Sequence, residues 1–361
     1  MLKNLGIFNK IKTYAQLPSL VGANGHSPLN LVYDFIFCVS HKNTQLASFN
    51  CKTNFMLNDI QLVLGLYGLS KNSESIQGYE LVDRDEALNV LNLAYHGGIR
   101  IVDTAPCYGD GAADELLRIL EKDYGITFRV NTKVGRETLK SPYSHEKSIL
   151  LKELEIIKKN LGDSVNTVFF HSPPKEWLKN KAGLEEAKNT IKNQLGSSVR
   201  IGISFANPDD VFLVPEDFQF DDAQLNISIL DLRVVKNNSR EFLKQKGIEV
   251  YARSIFCSGI LKYTDEIQTK LEKSDVRQNW SNNFVSFMQS RLKQVFEITR
   301  ELNFSNASGL AFSPFYSYPL ANYLVIGPTK TSEITEILQS HGDRKRLESI
   351  KLNTLVEISG T

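Results

Sequence analysis

Cysteine is scarce in this chain. The four cysteines are Cys38, Cys51, Cys107 and Cys257, and none forms a close CxxC pair. That spacing argues against a structural zinc site, and four thiols in 361 residues do not make a disulfide scaffold. A reducing, cytoplasmic setting fits better. The six histidines form no HExxH or similar ligand cluster, so no metal centre is expected. No stretch reaches about 18 uninterrupted apolar residues, so no membrane span is expected. An excess of one charge is missing too: 42 basic against 41 acidic residues leave a net charge of +1. A nucleic-acid partner calls for a strongly basic surface, and this balance argues against one.

What is present is ordinary globular composition, 42% hydrophobic and 23% charged. It suffices for a large core and argues against disorder as the main state. The length fits about two domains of roughly 150 residues, or one barrel of about 250 or more. Residues 1–55 differ from the rest. They hold five lysines, no arginine, no glutamate, seven asparagines and a single acid, Asp34. We read them as an N-terminal extension: a mis-assigned start, a poorly ordered arm or a targeting segment. A secretory signal pattern is not convincing, and the lack of arginine counts against a transit peptide. The catalytic domain is expected over residues 56–361.

From Met56 onward, apolar runs of strand length alternate with stretches of helical spacing. The expected strands are Ile60–Leu66, Ile99–Asp103, Phe128–Lys133, Val165–His171, Val199–Ser204, Ala223–Ile227, Ile248–Arg253 and Tyr323–Ile326. Helices are expected at Arg84–His96, Ala112–Lys122, His145–Leu161, Leu184–Leu195, Pro208–Leu213, Arg240–Lys246, within Asn283–Glu301, and from Ser332. Asp83 can cap the first helix and Gly97-Gly98 can stop it. Strands rich in Val, Ile and Phe without strict alternation read as buried on both faces, as in a parallel sheet. Eight strand–helix units in one domain give an α/β class, a (β/α)8 TIM barrel. An open doubly wound sheet is the runner-up. It would want G-x-G-x-x-G after the first strand, and Gly65-Leu66-Tyr67-Gly68-Leu69-Ser70 lacks that spacing.

In such a barrel the carboxyl ends of the strands carry the chemistry. The second expected strand ends at Asp103, with Tyr108 five residues on. The third ends at Lys133 and the fourth at His171. A free tyrosine has a pKa of about 10, too high for an efficient proton relay near neutrality. A nearby Lys133 cation would lower it, Asp103 would keep that lysine in place and charged, and His171 would orient a carbonyl oxygen. The group would polarise a carbonyl and protonate a developing alkoxide, with hydride from a nicotinamide cofactor. Taken singly, each has a bland reading. Asp103 can cap the next element, Tyr108 can be a turn aromatic, Lys133 a strand-end lysine and His171 a structural histidine. Four at successive strand ends are harder to assign to chance. Lys133 as a Schiff-base nucleophile is a further reading of the same rim.

Gly98–Gly109 (GIRIVDTAPCYG) resembles the aldo-keto reductase signature. The resemblance continues through Asn131-Thr132-Lys133-Val134-Gly135, Phe170-His171-Ser172-Pro173, Ile201-Gly202-Ile203-Ser204, Tyr251-Ala252-Arg253-Ser254 and Val325-Ile326-Gly327-Pro328. It covers about residues 58–345. It implies a (β/α)8 barrel, NAD(P)H-dependent reduction of an aldehyde or ketone, and a tetrad of Asp103, Tyr108, Lys133 and His171 with Tyr108 as general acid. It further implies that Ser204 and Gln224 bind the nicotinamide carboxamide, that Arg253 stacks near the ring, and that Ser254 and Phe256 border the pyrophosphate. Gly327, Thr329, Lys330 and Glu333 fall at the start of the last barrel helix, where backbone donors can meet a phosphate. Lys330 could pair with a 2′-phosphate, which favours NADPH with NADH as the alternative. The chain departs from the pattern at Phe205, where asparagine is common. It departs also at Asp110-Gly111-Ala112-Ala113-Asp114-Glu115, at Glu333, near a usual glutamine, and at Ile337, where asparagine is common.

The function expected is NAD(P)H-dependent reduction of a small-molecule carbonyl to an alcohol. Family members that resemble this chain in the run Ala252-Arg253-Ser254 are often found with sugar pathways, so the resemblance makes a sugar-related carbonyl one candidate. The alternative is a nucleotide-binding regulatory barrel with little turnover. Tyr67, Trp177 and the segment from Lys262 to Trp280 are expected to wall the substrate pocket. Cys107 reads as a small loop residue. Nothing in the pattern sets an oligomeric state.

Overall fold

The computed structural model describes residues 60–73, 78–262, 271, 273–300, 304, 306–343, 346 and 349–359. The expected extension, residues 1–55, lies outside them, as does part of the segment after Lys262. Eight parallel strands close into a barrel in sequence order: β1 Gln61–Gly65, β2 Ile101–Asp103, β3 Arg129–Val134, β4 Val165–His171, β5 Arg200–Ser204, β6 Asp222–Asn226, β7 Glu249–Arg253 and β8 Tyr323–Ile326. Pairing of β1 with β8, Val63 beside Val325, closes the ring. This is the (β/α)8 barrel, with each strand within two residues of its expected bounds at either end.

The longer helices of the outer layer are α1 Arg84–His96, α2 Ala112–Ile119, α3 Lys147–Leu161, α4 Lys181–Leu195, α5 Ser239–Gln245, α6 Asn282–Thr299, α7 Ala307–Ser317, α8 Thr331–Asp343 and α9 Ser349–Ser359, with single helical turns at Lys175–Leu178 and Arg233–Lys236. Helix α1 shows why these segments coil. The Asp83 carboxylate accepts from the Asp85 amide at 2.8 Å, and Asp85 and Glu86 complement the helix dipole. Ala87, Leu88, Val90, Leu91 and Ala94 form the buried stripe that faces the strands. Two structured segments depart from expectation. Pro208–Leu213 is 3-10 rather than α, and the turn after α2 is π-helical over Leu120–Tyr124. Helices α7 and α9 have no counterpart among the expected elements.

The barrel interior is packed. Val63, Ile101, Phe169 and Tyr251 fill its middle, with Tyr323 stacked on Tyr251 at 4.2 Å between ring centroids. Below them Asp222 accepts from Arg200 Nε at 2.9 Å and from Thr167 Oγ1 at 2.9 Å. This filled lower half leaves the strand carboxyl ends as the end where side chains can face a cavity. Gly202 on β5 leaves room for the Phe169 ring: a Cβ there would lie 2.3 Å from Phe169 Cδ1. Gly202→Ala is therefore expected to cost about 1–3 kcal/mol through overpacking, read as a lower urea midpoint with an unchanged slope. A variant as stable as the parent would show that the interior repacks freely.

Candidate active site

Backbone pairing sets where the four candidate side chains point. Asp103 pairs with Gly65 of β1 and with Asn131 of β3, and its carbonyl accepts from the Leu66 amide at 2.9 Å. Lys133 lies two residues beyond Asn131 on the same face of β3. His171 ends β4 beside Ser204 of β5. Tyr108 opens a tight turn, and its amide donates to the Ala105 carbonyl at 2.9 Å. Gly109 makes that turn feasible. Its φ is +60°, and a Cβ would lie 2.3 Å from the Ser70 carbonyl oxygen.

The structure brings all four together. Lys133 Nζ and Asp103 Oδ1 form a buried ion pair, and Nζ also donates to the Thr104 carbonyl at 3.0 Å. The ammonium lies 4.9 Å from the centre of the Tyr108 ring, whose edge contact with the His171 ring measures 5.9 Å between centroids. Behind the pair runs a polar chain. Gln224 Nε2 donates to the other Asp103 oxygen at 2.7 Å, and Ser204 Oγ donates to Gln224 Oε1 at 3.0 Å. Both Asp103 oxygens are thus engaged, which is how a buried carboxylate stays charged.

Electrostatics at the site depart from one expectation. Tyr108 was expected to sit below its usual pKa because of Lys133. Burial instead pushes the phenol above it, with the lysine opposing and Asp103 adding to the rise. Desolvation of the anion outweighs one cation that is already paired with Asp103. Lys133 is held above its ordinary value: burial works against the charge, but Asp103 and Tyr108 outweigh it. His171 is pushed well below its usual 6.5, first by burial, then by Lys133, Arg136 and Arg253. The site therefore holds a neutral phenol, an ammonium and a neutral imidazole at physiological pH. Cys107 places Sγ 4.0 Å from His171 Nδ1, and burial raises its thiol to about 11, so it is no nucleophile.

A cavity of about 590 Å³ opens above this group. Asp103, Tyr108, His171, Gln224, Arg253, Ser254, Phe256, Gly327, Thr329 and Glu333 line it, so ten of the thirteen candidate residues share one space. Lys133, Ser204 and Lys330 are not among its lining. Lys133 lies beneath Tyr108, and Ser204 beneath Gln224. Lys330 Nζ pairs with Glu80 at 3.0 Å, on a side chain that stays more than half exposed. The α8 start departs from expectation as well. The Thr329 amide donates to Glu333 at 2.8 Å, and the Thr331 amide donates to Glu86 at 2.6 Å. Carboxylates satisfy these amides because the positive end of the helix dipole attracts them. Tyr67 and Trp280 line the cavity as expected, but Trp177 does not. It is buried against Phe170, Tyr143 and His145 in the layer between β4 and the helices.

A nicotinamide dinucleotide can be tested against these residues. Arg253 Nη1 donates to Asn226 Oδ1 at 2.6 Å and Nη2 to the Phe205 carbonyl at 2.9 Å, while its buried Nε has no partner. Ser254 takes a left-handed φ of +59°, which turns the chain after β7 around the cavity rim, and its Oγ donates to Asn226 at 3.1 Å. A planar guanidinium with an unused N–H, beside a loop that curls around the cavity, suits a ring and a pyrophosphate. The carboxylate-filled α8 start does not suit a further phosphate. Asn226 and Glu80 were not among the candidates. Asn226 follows Gln224 at the two-residue strand spacing and could have been found that way. Glu80 reaches Lys330 across 250 positions, and no local pattern marks it.

The aldo/keto reductase family model matches residues 61–358. This chain belongs to the aldo/keto reductase family. A segment of 78 residues is 33% identical to a Schizosaccharomyces pombe protein that carries the name of an aryl-alcohol dehydrogenase, and it spans 22% of this chain and 22% of that protein. Among solved structures, the fold is similar to the glycerol dehydrogenase of Gluconobacter oxydans, with TM-score 0.63, 16% identity, and coverage of 82% of this chain and 90% of that one. It is also similar to an aldo-keto reductase of Bacillus halodurans in its holo form, with TM-score 0.62, 15% identity, and coverage of 82% and 91%. Aldo/keto reductases use NAD(P)H.

Depression of the His171 pKa has a consequence for this reductase's stability. Below pH 6.5 the unfolded chain takes up a proton that folded His171 refuses. Its contribution is full above 6.5 and is lost as pH falls toward the depressed value. His171→Gln should flatten the acid side of the stability–pH curve by up to about 1.4 kcal/mol per pH unit, measured by urea unfolding. An unchanged acid slope would contradict a buried neutral imidazole.

Proposed function

We propose that this protein reduces an aldehyde or ketone to an alcohol with a reduced nicotinamide dinucleotide, NADPH or NADH. The observation that carries the reading is the buried Asp103–Lys133 pair set against Tyr108 and His171 at the floor of one cavity. When bound, the reduced nicotinamide supplies hydride. The chain's own residues do the rest. His171, neutral, donates a hydrogen bond to the carbonyl oxygen and helps polarise it. Tyr108 Oη gives its proton to the oxygen as negative charge develops there. Lys133 then stabilises the phenolate that remains, and Asp103 keeps the ammonium charged and in position.

Cofactor contacts follow from the same cavity. Arg253 would border the nicotinamide, and Ser254 and Phe256 the pyrophosphate. Gly327, Thr329 and Glu333 would line the adenosine end. Gln224, with Ser204 behind it, is already bonded to Asp103. Its role would be to hold the tetrad as well as to meet a carboxamide. Tyr67, Tyr79, Leu139 and Trp280 give the cavity an apolar wall that excludes water and suits the face of an aryl or sugar-related carbonyl. The similar proteins named for glycerol and for aryl alcohols suggest the panel to try first.

Tyr108→Phe should lower kcat/KM for carbonyl reduction by about 10²–10⁴ while nucleotide affinity, followed by fluorescence, moves little. Parental turnover in that variant would remove Tyr108 from the role and favour a barrel that binds nucleotide without this chemistry. The pH profile carries the second test. A phenol held above 10 and an imidazole held below 6.5 leave both groups in their working protonation states between those values. The kcat/KM for reduction should therefore show no acid limb at 6.5 and no alkaline limb below 10 from these groups. A limb at either value that disappears in His171→Gln or Tyr108→Phe would overturn the assignment.

A further inference from the structure

We infer that the adenosine end of the cavity selects against a phosphate on the adenosine ribose, so that the protein uses NADH in preference to NADPH. The inference rests on the nicotinamide reading above and concerns a part of the cavity that the tetrad does not touch.

Three segments converge on the start of α8, and each brings a carboxylate. Glu80 comes from the loop between β1 and α1, Glu86 from the first turn of α1, and Glu333 from the first turn of α8 itself. Each is fixed by a named donor. Glu80 receives Lys330 Nζ at 3.0 Å and the Thr329 hydroxyl, Glu86 receives the Thr331 amide, and Glu333 receives the Thr329 amide. Glu336, one turn on and also lining the cavity, receives Ser308 Oγ at 2.7 Å. Two backbone amides and one ammonium at this helix start thus face carboxylates of the chain itself. Among the described residues, the two arginines that line the cavity are held by other partners. Arg253 is bonded to Asn226 and Phe205, and Arg277 is paired with both oxygens of Asp275.

The consequence is a difference between two nucleotides that are otherwise alike. Their pyrophosphates are shared, so contacts at Ser254 and Phe256 do not discriminate. The extra group of NADPH is a phosphate monoester, about −1.5 to −2 in charge at neutral pH. At this end it would meet Glu80 and Glu333, with Lys330 as the described cation beside them and already paired with Glu80. A free ribose diol presents hydroxyl donors instead, which carboxylates accept. The same chemistry lets an acidic side chain select a 2′-hydroxyl, and an arginine a 2′-phosphate, in unrelated nucleotide sites. Glu80 is central because it does two things. It adds negative charge, and it occupies the lysine that could otherwise answer a phosphate.

The test is equilibrium titration of the full chain with NADH and NADPH, followed by protein fluorescence, beside Glu80→Gln, Lys330→Ala and the double variant. The parent should bind NADH about tenfold or more tightly than NADPH, with the ratio narrowing as salt rises from about 0.05 to 0.5 M. Glu80→Gln should raise NADPH affinity by about tenfold and leave NADH within about threefold, and adding Lys330→Ala should cancel that gain. Should Glu80→Gln fail to fold, ADP and its 2′-phospho derivative compared on the parent chain isolate the same group, with ADP expected to bind more tightly. Equal or tighter binding of NADPH, or of the 2′-phospho derivative, overturns this inference and leaves the proposed reaction standing. Binding of neither dinucleotide by the folded parent overturns the proposed reaction and this inference together.

Discussion

The Lys133–Asp103 ion pair is the constraint on which the rest of the site depends. Both side chains are nearly sealed from water, at 2% and 7% exposure, so each charge is tolerated because the other is there. Such a pair is expensive to bury and is weak evidence for stability. It needs its remaining polar atoms satisfied, and the barrel supplies partners from two strands and one turn. Gln224 on β6 takes the second Asp103 oxygen, Ser204 on β5 holds Gln224, and the Thr104 carbonyl after β2 takes another ammonium proton. A closed barrel can do this because its strand ends form a ring, so residues far apart in sequence sit side by side at one rim.

From this pair the two ends of the cavity acquire different character. At the tetrad end, buried cations surround a phenol and an imidazole that are both neutral, and the space above them has aromatic walls. Such a setting can polarise a carbonyl. At the α8 end, carboxylates from two other segments fill the helix start. Carboxylates there can accept from hydroxyls. The two ends of one cavity thereby differ in charge.

Much of this architecture is legible along the chain. The eight strands show themselves through Val, Ile and Phe runs, and the tetrad through the regular recurrence of ionisable residues at strand ends. Other features leave no local trace. Helix α7 carries Leu310, Ala311, Phe312, Phe315 and Tyr316 all buried, with Pro314 inside it, so it has no amphipathic stripe to mark it as a helix. The direction of the Tyr108 shift depends on how deeply the ring is buried, which spacing does not reveal. Lys330 pairs with Glu80, a partner 250 positions away. Trp177 is expected at the pocket wall, and no local pattern reveals that it is not. Its short helical turn, Lys175–Leu178, instead rotates the ring inward onto Phe170.

The claim that a buried counter-charge organises the site is tested most directly by Asp103→Asn, which keeps shape and removes charge. The quantity to measure is the single-turnover rate of carbonyl reduction at saturating nucleotide. With the carboxylate gone, the buried ammonium loses its partner and Tyr108 loses its support. The account predicts a fall of about 10² or more in that rate, with nucleotide affinity close to the parent's. A rate within about threefold of the parent, from a folded variant that binds nucleotide normally, would contradict it.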